Sequence, residues 1–346
     1  MQKPISYVYP FNFQDNMLQI GARSGMGYAD KRGELILPCI YEVAYPYNEG
    51  LAFARKKGEY GSFFDKTGKE VITGEFEDAD IFSEGLAGVE KDGKWGFIDQ
   101  TGKLIIAHQY DDITWFKEGL CGVYKEDKAA FIDKEGNEIT SFIFDDVYPF
   151  SEGLAAVSID GDWGYISTTG ETIVPLKYDA AGDCKEGLLV VEKDDRAGIL
   201  DKTGTEVLPF TYGFAEDAFS EGLLVVRDGT KYGCINTKGE LVIPFEYHNM
   251  RSFKNGLAAA EVNSKWGFID KENNKVVPFQ YSKVGSFSDG LAYVELKGRK
   301  AYYIDKNSEA NIILRKEYTK TEKITVFLIV VAVVALISVL INGLIN

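Results

Sequence analysis

Apolar and polar positions recur along this chain as one pattern of about 34 residues. In the copy around the first tryptophan, Leu86-Ala87-Gly88-Val89-Glu90 is a short extended run that turns at Asp92-Gly93. Lys94-Trp95-Gly96-Phe97-Ile98-Asp99 resumes it, so the two runs read as a β-hairpin. Gln100-Thr101-Gly102 then leads to a third strand, Lys103-Leu104-Ile105-Ile106, followed by the pair Tyr110-Asp111. Period-2 alternation places Trp95 and Phe97 on one face and Gly96 and Ile98 on the other, and neither face is polar. A strand apolar on both sides is sandwiched between layers, which predicts stacked units. Glycine beside tryptophan predicts close approach to the backbone, and the expected neighbour is an aromatic ring of the next unit.

The phase of the repeat is marked by a Gly-Leu pair at Gly50, Gly85, Gly119, Gly153, Gly187, Gly222, Gly256 and Gly290, spaced 34 or 35 residues apart. A more distorted copy from Tyr9 to Gly33 makes nine units. Self-similarity at this period signals a solenoid, a propeller or an array. Proline near the end of the third strand in several units, at Pro38, Pro175, Pro209, Pro244 and Pro278, caps the strand or marks a sheet edge. Propeller blades of four strands usually take about 40–45 residues, and a unit of this length fits three strands comfortably and four only if Tyr-Asp-x-Val is a short strand; rings usually hold about four to eight blades. The expectation is therefore an all-β tandem array of about nine antiparallel units, open and superhelical, with a closed propeller as the alternative.

The pattern stops at the C-terminal end. Residues 324–345 carry no charge, and as a helix they would reach roughly 33 Å, enough to cross a hydrocarbon core of about 30 Å. The expected organisation is a repeat domain at 1–311, a basic linker at 312–323 and one transmembrane helix at 324–345. Arg315, Lys316, Lys320 and Lys323 precede the span and no basic residue follows it, which places the repeats on the cytoplasmic side. The N-terminal residues lack an apolar signal-peptide core, in keeping with that orientation.

The formal net charge is −15, and Lys323 is the only charged residue from 323 onward, so residues 1–322 carry −16. An acidic array repels phosphate backbones and argues against a nucleic-acid partner. Cys39, Cys121, Cys184 and Cys234 fall at different positions of the repeat and form no CxxC, so buried free thiols are expected rather than a metal site.

The strings Asp92-Gly93-Lys94-Trp95-Gly96-Phe97-Ile98-Asp99, Asp162-Trp163-Gly164-Tyr165-Ile166 and Lys265-Trp266-Gly267-Phe268-Ile269-Asp270 resemble bacterial WG (KWG) repeats. The resemblance covers nearly the whole array. It implies an all-β repeat module without an established enzymatic activity, and it supplies no catalytic residue. Some units depart from the pattern: Ala197-Gly198 loses the aromatic, while Ala129-Ala130 and Ala301-Tyr302 lose the glycine.

Repeated acids suggest catalysis at first sight, but their pattern is that of turns. Asp65, Asp99, Asp133 and Asp201 each have a glycine three residues on, as a type I turn prefers, and Asn236 or Ser167 can replace them. A second series, Glu42, Glu77, Asp111, Asp145 and Asp179, and the Glu of Glu-Gly-Leu are expected at strand or turn edges, facing water. The two histidines, His108 and His248, lie in unlike surroundings, and no GxSxG or phosphate loop occurs. No catalytic residue, cofactor or metal is expected. Specific contacts are instead expected where the repeat is broken, around His108 and Trp115, with Trp115 standing where Pro46 and Pro149 stand in other units. The resulting expectation is a non-catalytic, membrane-tethered scaffold for a protein partner with a basic surface. A glycan- or envelope-binding module facing outside is the alternative, and an enzyme with acids converging from several repeats comes third.

Overall fold

The computed structural model describes residues 5–7, 9–22, 24–297 and 300–316. Among the described residues nine sheets follow one another along the chain, antiparallel except for one parallel pairing in the last. Blade 3 shows the standard form: a two-residue strand Asp78–Ala79, then Leu86–Lys91, Lys94–Asp99 and Leu104–Tyr110, each paired with the one before. The hairpin turn at Asp92-Gly93 has both residues at positive φ, 52° and 70°, the two-residue geometry that matches strand twist. After Tyr110 a single residue, Asp111, leads into Asp112–Ile113, the first strand of blade 4.

The array closes. Ile5–Tyr7 pairs in parallel with Ala310–Lys316, so the first and last described strands share the last sheet. Leu18, Ile20 and Ala29 of blade 1 pack with Ala301 and Tyr303 of blade 9. An open row of nine blades has eight interfaces, whereas the described residues form nine apolar clusters, one between each blade and the next. The expected open superhelix is therefore replaced by a propeller of about nine blades. Four strands fit into 34 residues because the first has only two residues and the hairpins have two-residue turns.

The two apolar faces are used as the alternation predicts. Ile98 packs in the cluster between blades 2 and 3, whereas Phe97 packs in the cluster between blades 3 and 4. Trp95, Trp163 and Trp266 are half-buried against these clusters.

The role expected for the glycine is corrected. A Cβ on Gly96 would lie 2.6 Å from the carbonyl oxygen of Ile106, and one on Gly164 would lie 2.5 Å from that of Val174. Gly267 faces Val277 in the same way, at 2.6 Å. What comes close is the backbone of the blade's own outer strand, where the register shifts across Trp95/Phe97, Trp163/Tyr165 and Trp266/Phe268. Where the glycine is lost, the pairing changes. Tyr302 pairs directly with Ile313, and opposite Ala130 blade 4 has no regular outer strand, only bridges such as Ala129 to Phe144. The prolines occupy the exposed outer strand, as in Thr172–Tyr178, rather than ending it.

The last strand runs through Lys316, so Arg315 and Lys316 belong to blade 9 and not to a linker. Lys320, Lys323 and the apolar segment 324–345 lie outside the described residues. Among the described residues no helix is long and apolar enough to cross a membrane.

Gly164→Ala forces a Cβ against backbone and should cost about 2 kcal/mol or more, within the range of overpacking. The midpoint of chemical unfolding reads this, and an unchanged midpoint would show that the outer strand can move aside.

Candidate functional site

Most of the repeated acids serve the backbone. Asp65 accepts hydrogen bonds from the N–H groups of Thr67 and Lys69 at 2.9 and 3.0 Å, with Gly68 donating to its carbonyl. Asn273 and Ser308 take the glycine's place in the last units at φ 65°. In the second series, Asp111 accepts from the N–H of Glu126 at 2.9 Å and Asp179 from Asp194 at 2.7 Å, each holding the next hairpin.

The Glu of Glu-Gly-Leu is more than a water-facing edge residue. Glu84 and Gly85, at φ 52° and 86°, form a tight turn in which Ser83 and Leu86 exchange backbone hydrogen bonds. The Glu84 carboxylate accepts from the N–H groups of Glu118 and Gly119 of the next blade at 2.7 and 2.9 Å. Glu118 does the same for Glu152 and Gly153, and Glu152 for Glu186 and Gly187. Asp15, Glu49, Glu186 and Glu221 each reach the next blade's glycine N–H. Asp289 of blade 9 accepts from Asn16 of blade 1 at 2.9 Å, across the point of closure.

What remains free lies beyond each two-residue strand, at the narrow end of the blades. Lys117 of blade 4 reaches Asp183 of blade 6 at 3.8 Å, spanning blade 5. Only near the axis of a ring can alternate blades meet, so this edge is the inner one. Of the large exposed apolar residues, most sit on outer strands, such as Leu104, Val207 and Leu241. Trp115 and Tyr148, 44% and 42% exposed, stand instead on the inner rim of adjacent blades. Tyr148 leans on Trp163, with ring centres 5.0 Å apart. Partial burial raises its phenol, and Asp146, Asp217 and Asp183 push it further. The rim thus joins exposed aromatics to carboxylates from blades 5, 6 and 7.

Further round the rim, burial pushes the Asp80 carboxyl up, and the charges of Asp78 and Asp112 add to that against the Ile81 N–H. His108 does not join this site. It lies half-buried on the outer strand of blade 3, with Nδ1 buried and unpartnered, and no hydrogen bond or ring contact links it to Trp115 among the described residues. Cys121, Cys184 and Cys234 are buried free thiols, raised by burial. The rim acids Asp183 and Asp217 carry no repeat signal, so only the contrast with other units could have singled them out.

Fold and rim together define a β-propeller with an acidic, aromatic inner edge. The chain belongs to the WG repeat family: the family described as "WG containing repeat" matches residues 26–60, 62–95, 95–128, 130–161, 163–196, 198–232, 232–266 and 266–299. Its boundaries fall near the Trp-Gly strand, so each match joins the end of one blade to the start of the next. Among solved structures, the crystal structure of the eukaryotic initiation factor is similar with a TM-score of 0.60 and 12% identity, covering 87% of this chain and 98% of that one. At that identity the likeness is one of fold. BamB from Moraxella catarrhalis gives 0.44 and 12%, over 78% of this chain and 94% of its own. No curated protein matches the chain.

Asp80 costs stability while charged, because its folded pKa is raised; the cost fades as pH falls and the carboxyl takes its proton. Asp80→Asn keeps the acceptor for Ile81 and should raise Tm at pH 7 by about 1–3 °C. Thermal scans should show that gain shrinking toward acid pH, and a gain growing there would reverse the argument.

Proposed function

We propose that this propeller is a non-catalytic protein-binding module whose inner rim, carrying Trp115, Tyr148, Asp217 and an Asp183 that a partner cation would take over from Lys117, docks a basic segment of a partner. The observation that carries the reading is the exposure of two aromatics on adjacent blades at an edge where carboxylates of three blades lie together. Exposed Trp and Tyr provide rigid apolar contact area, and desolvated aromatic anchors dominate binding energy at interfaces. The carboxylates would select Lys- or Arg-rich sequences and speed the encounter. The backbone contacts that most of the repeated acids make to turns and hairpins support this reading.

The apolar segment 324–345 is read as a membrane tether, with Arg315, Lys316, Lys320 and Lys323 keeping the propeller on the cytoplasmic side. Tethering would confine the module to two dimensions and raise its effective concentration toward a membrane-associated partner.

Capture of partners by the full chain in detergent, followed by affinity measurement, tests the rim. Trp115→Ala and Tyr148→Ala should each weaken binding by about 30-fold or more, the scale of a hot-spot loss of roughly 2 kcal/mol or more, at unchanged Tm. Undiminished binding in the double variant would place the interface elsewhere.

Sidedness needs a reporter other than Cys121, which is fully buried. A cysteine introduced at the exposed Asp92 should resist an impermeant thiol reagent in intact cells and react after lysis. Labelling before lysis would put the propeller outside.

A further inference from the structure

The carboxylate ring supplies its own template for a site, because the same junction is built repeatedly and fails once. At eight junctions an Asp or Glu of one blade accepts from a turn N–H of the next. At several of these a side chain after the neighbouring Asp turn also meets the carboxylate. Gln100 donates to Glu49 at 3.0 Å, Lys134 pairs with Glu84 at 3.1 Å and Lys271 with Glu221 at 3.3 Å. Between blades 8 and 9 the acid is replaced by Asn255, while both donors remain: Gly290 N–H and, at the position of Lys134 and Lys271, Lys306. Among the described residues no hydrogen bond is made by Gly290 N–H and no ion pair by Lys306.

The structure is open at this point. A cleft of about 370 Å³ is lined by Asn255, Gly290, Asp305, Lys306 and Asn307 together with the apolar Leu257 and Phe287. That volume is in the range of small-ligand sites. The nearest carboxylates do not compete for the donors. Asp289 is bonded to Asn16, and Asp305 holds the N–H groups of Asn307 and Glu309 at 2.8 and 3.0 Å.

We infer that the junction between blades 8 and 9 is a receptor site for a carboxylate attached to a compact apolar group. The carboxylate takes the place that Glu84 or Glu221 holds elsewhere, accepting from Gly290 N–H and pairing with Lys306, while the apolar group fills the cleft beside the buried Leu257 and Phe287. The chemistry is met equally by a small organic acid and by the C-terminal residue of a peptide. This site is independent of the aromatic rim.

The test uses the full chain in detergent, labelled with 15N-glycine, and N-acetyl-leucine as the probe. The Gly290 amide should move downfield and saturate with a Kd on the order of 1 mM. N-acetyl-leucinamide, which lacks the carboxylate, should bind at least tenfold more weakly. Asn255→Glu supplies the missing group from within, so it should raise Tm and abolish the probe's effect, whereas Asn255→Gln should do neither. A peptide ending in a free leucine carboxylate separates the two sources. Binding tenfold or more tighter than N-acetyl-leucine assigns the site to a protein terminus, and equal binding assigns it to a small acid. No shift at Gly290 with 50-fold more probe than protein at 20 mM or above, equal binding of the amide, or full probe binding by Asn255→Glu would each overturn the inference.

Discussion

One contact joins the blades at eight of the nine junctions of the ring: a carboxylate in one blade accepting from the backbone of the turn in the next. The residue that makes it sits at positive φ, 52° for Glu84 and 53° for Glu152, a conformation that costs an L-residue about 1–2 kcal/mol. The same geometry aims the side chain at the neighbour. A hydrogen bond from N–H to a charged acceptor contributes about 1.5–3 kcal/mol net, so one or two of them offset the strain. Burial pushes the Glu152 carboxyl up, but the N–H groups of Gly187 and Glu186 and the charges of Lys202 and Lys185 outweigh it and leave it below the usual range. Charge is therefore retained where a turn needs it. The bond also crosses the point of closure, from Asp289 to Asn16, so the first and last blades meet as any other pair does.

Between those rims the blades are held by area rather than by polar contacts. Each central strand is apolar on both faces and divides its residues between two clusters, as Phe97 and Ile98 show. No blade could bury both faces alone, and an open row would leave two faces bare at its ends. At roughly 25 cal/mol per Å² of apolar surface, closing the ring removes that penalty at both ends at once. The glycine beside the tryptophan serves a different scale of the structure. It lets the outer strand approach within a blade, and its loss in blade 4 coincides with the loss of a regular outer strand there.

Much of this was legible in the chain. The period, the hairpin at Asp92-Gly93, the two-faced strands and the turn role of Asp65 and Asp99 follow from local chemistry, and the structure keeps them. Closure was not legible, because it rests on Ile5–Tyr7 meeting Ala310–Lys316 and on blade 1 packing against blade 9, contacts that no local pattern encodes. The fourth strand was legible only as a condition, a short strand after the Tyr-acid pair, because two residues such as Asp78–Ala79 are too few to show alternation. The glycine was correctly read as a site of close approach, but the approaching atoms belong to a register shift within the sheet. Trp115 was legible as an exception to the repeat, whereas Asp183 and Asp217 gain meaning only from the curvature that brings blades 5, 6 and 7 to one edge.

These features bear on function through a single argument. In a protein whose recurring residues are spent on folding, a position that departs from the repeat is either tolerated drift or a site with a second role. Exposure separates the two. Ala130 departs and is fully buried, and its effect is confined to the architecture of blade 4. Trp115 departs and remains exposed, where an unneeded tryptophan would leave a large apolar surface in water at about 25 cal/mol per Å². Asn255 departs and leaves donors facing an open cleft, although a glutamate there would restore the ring. On the readings proposed above, departures of the second kind leave surface or donors that binding would cover.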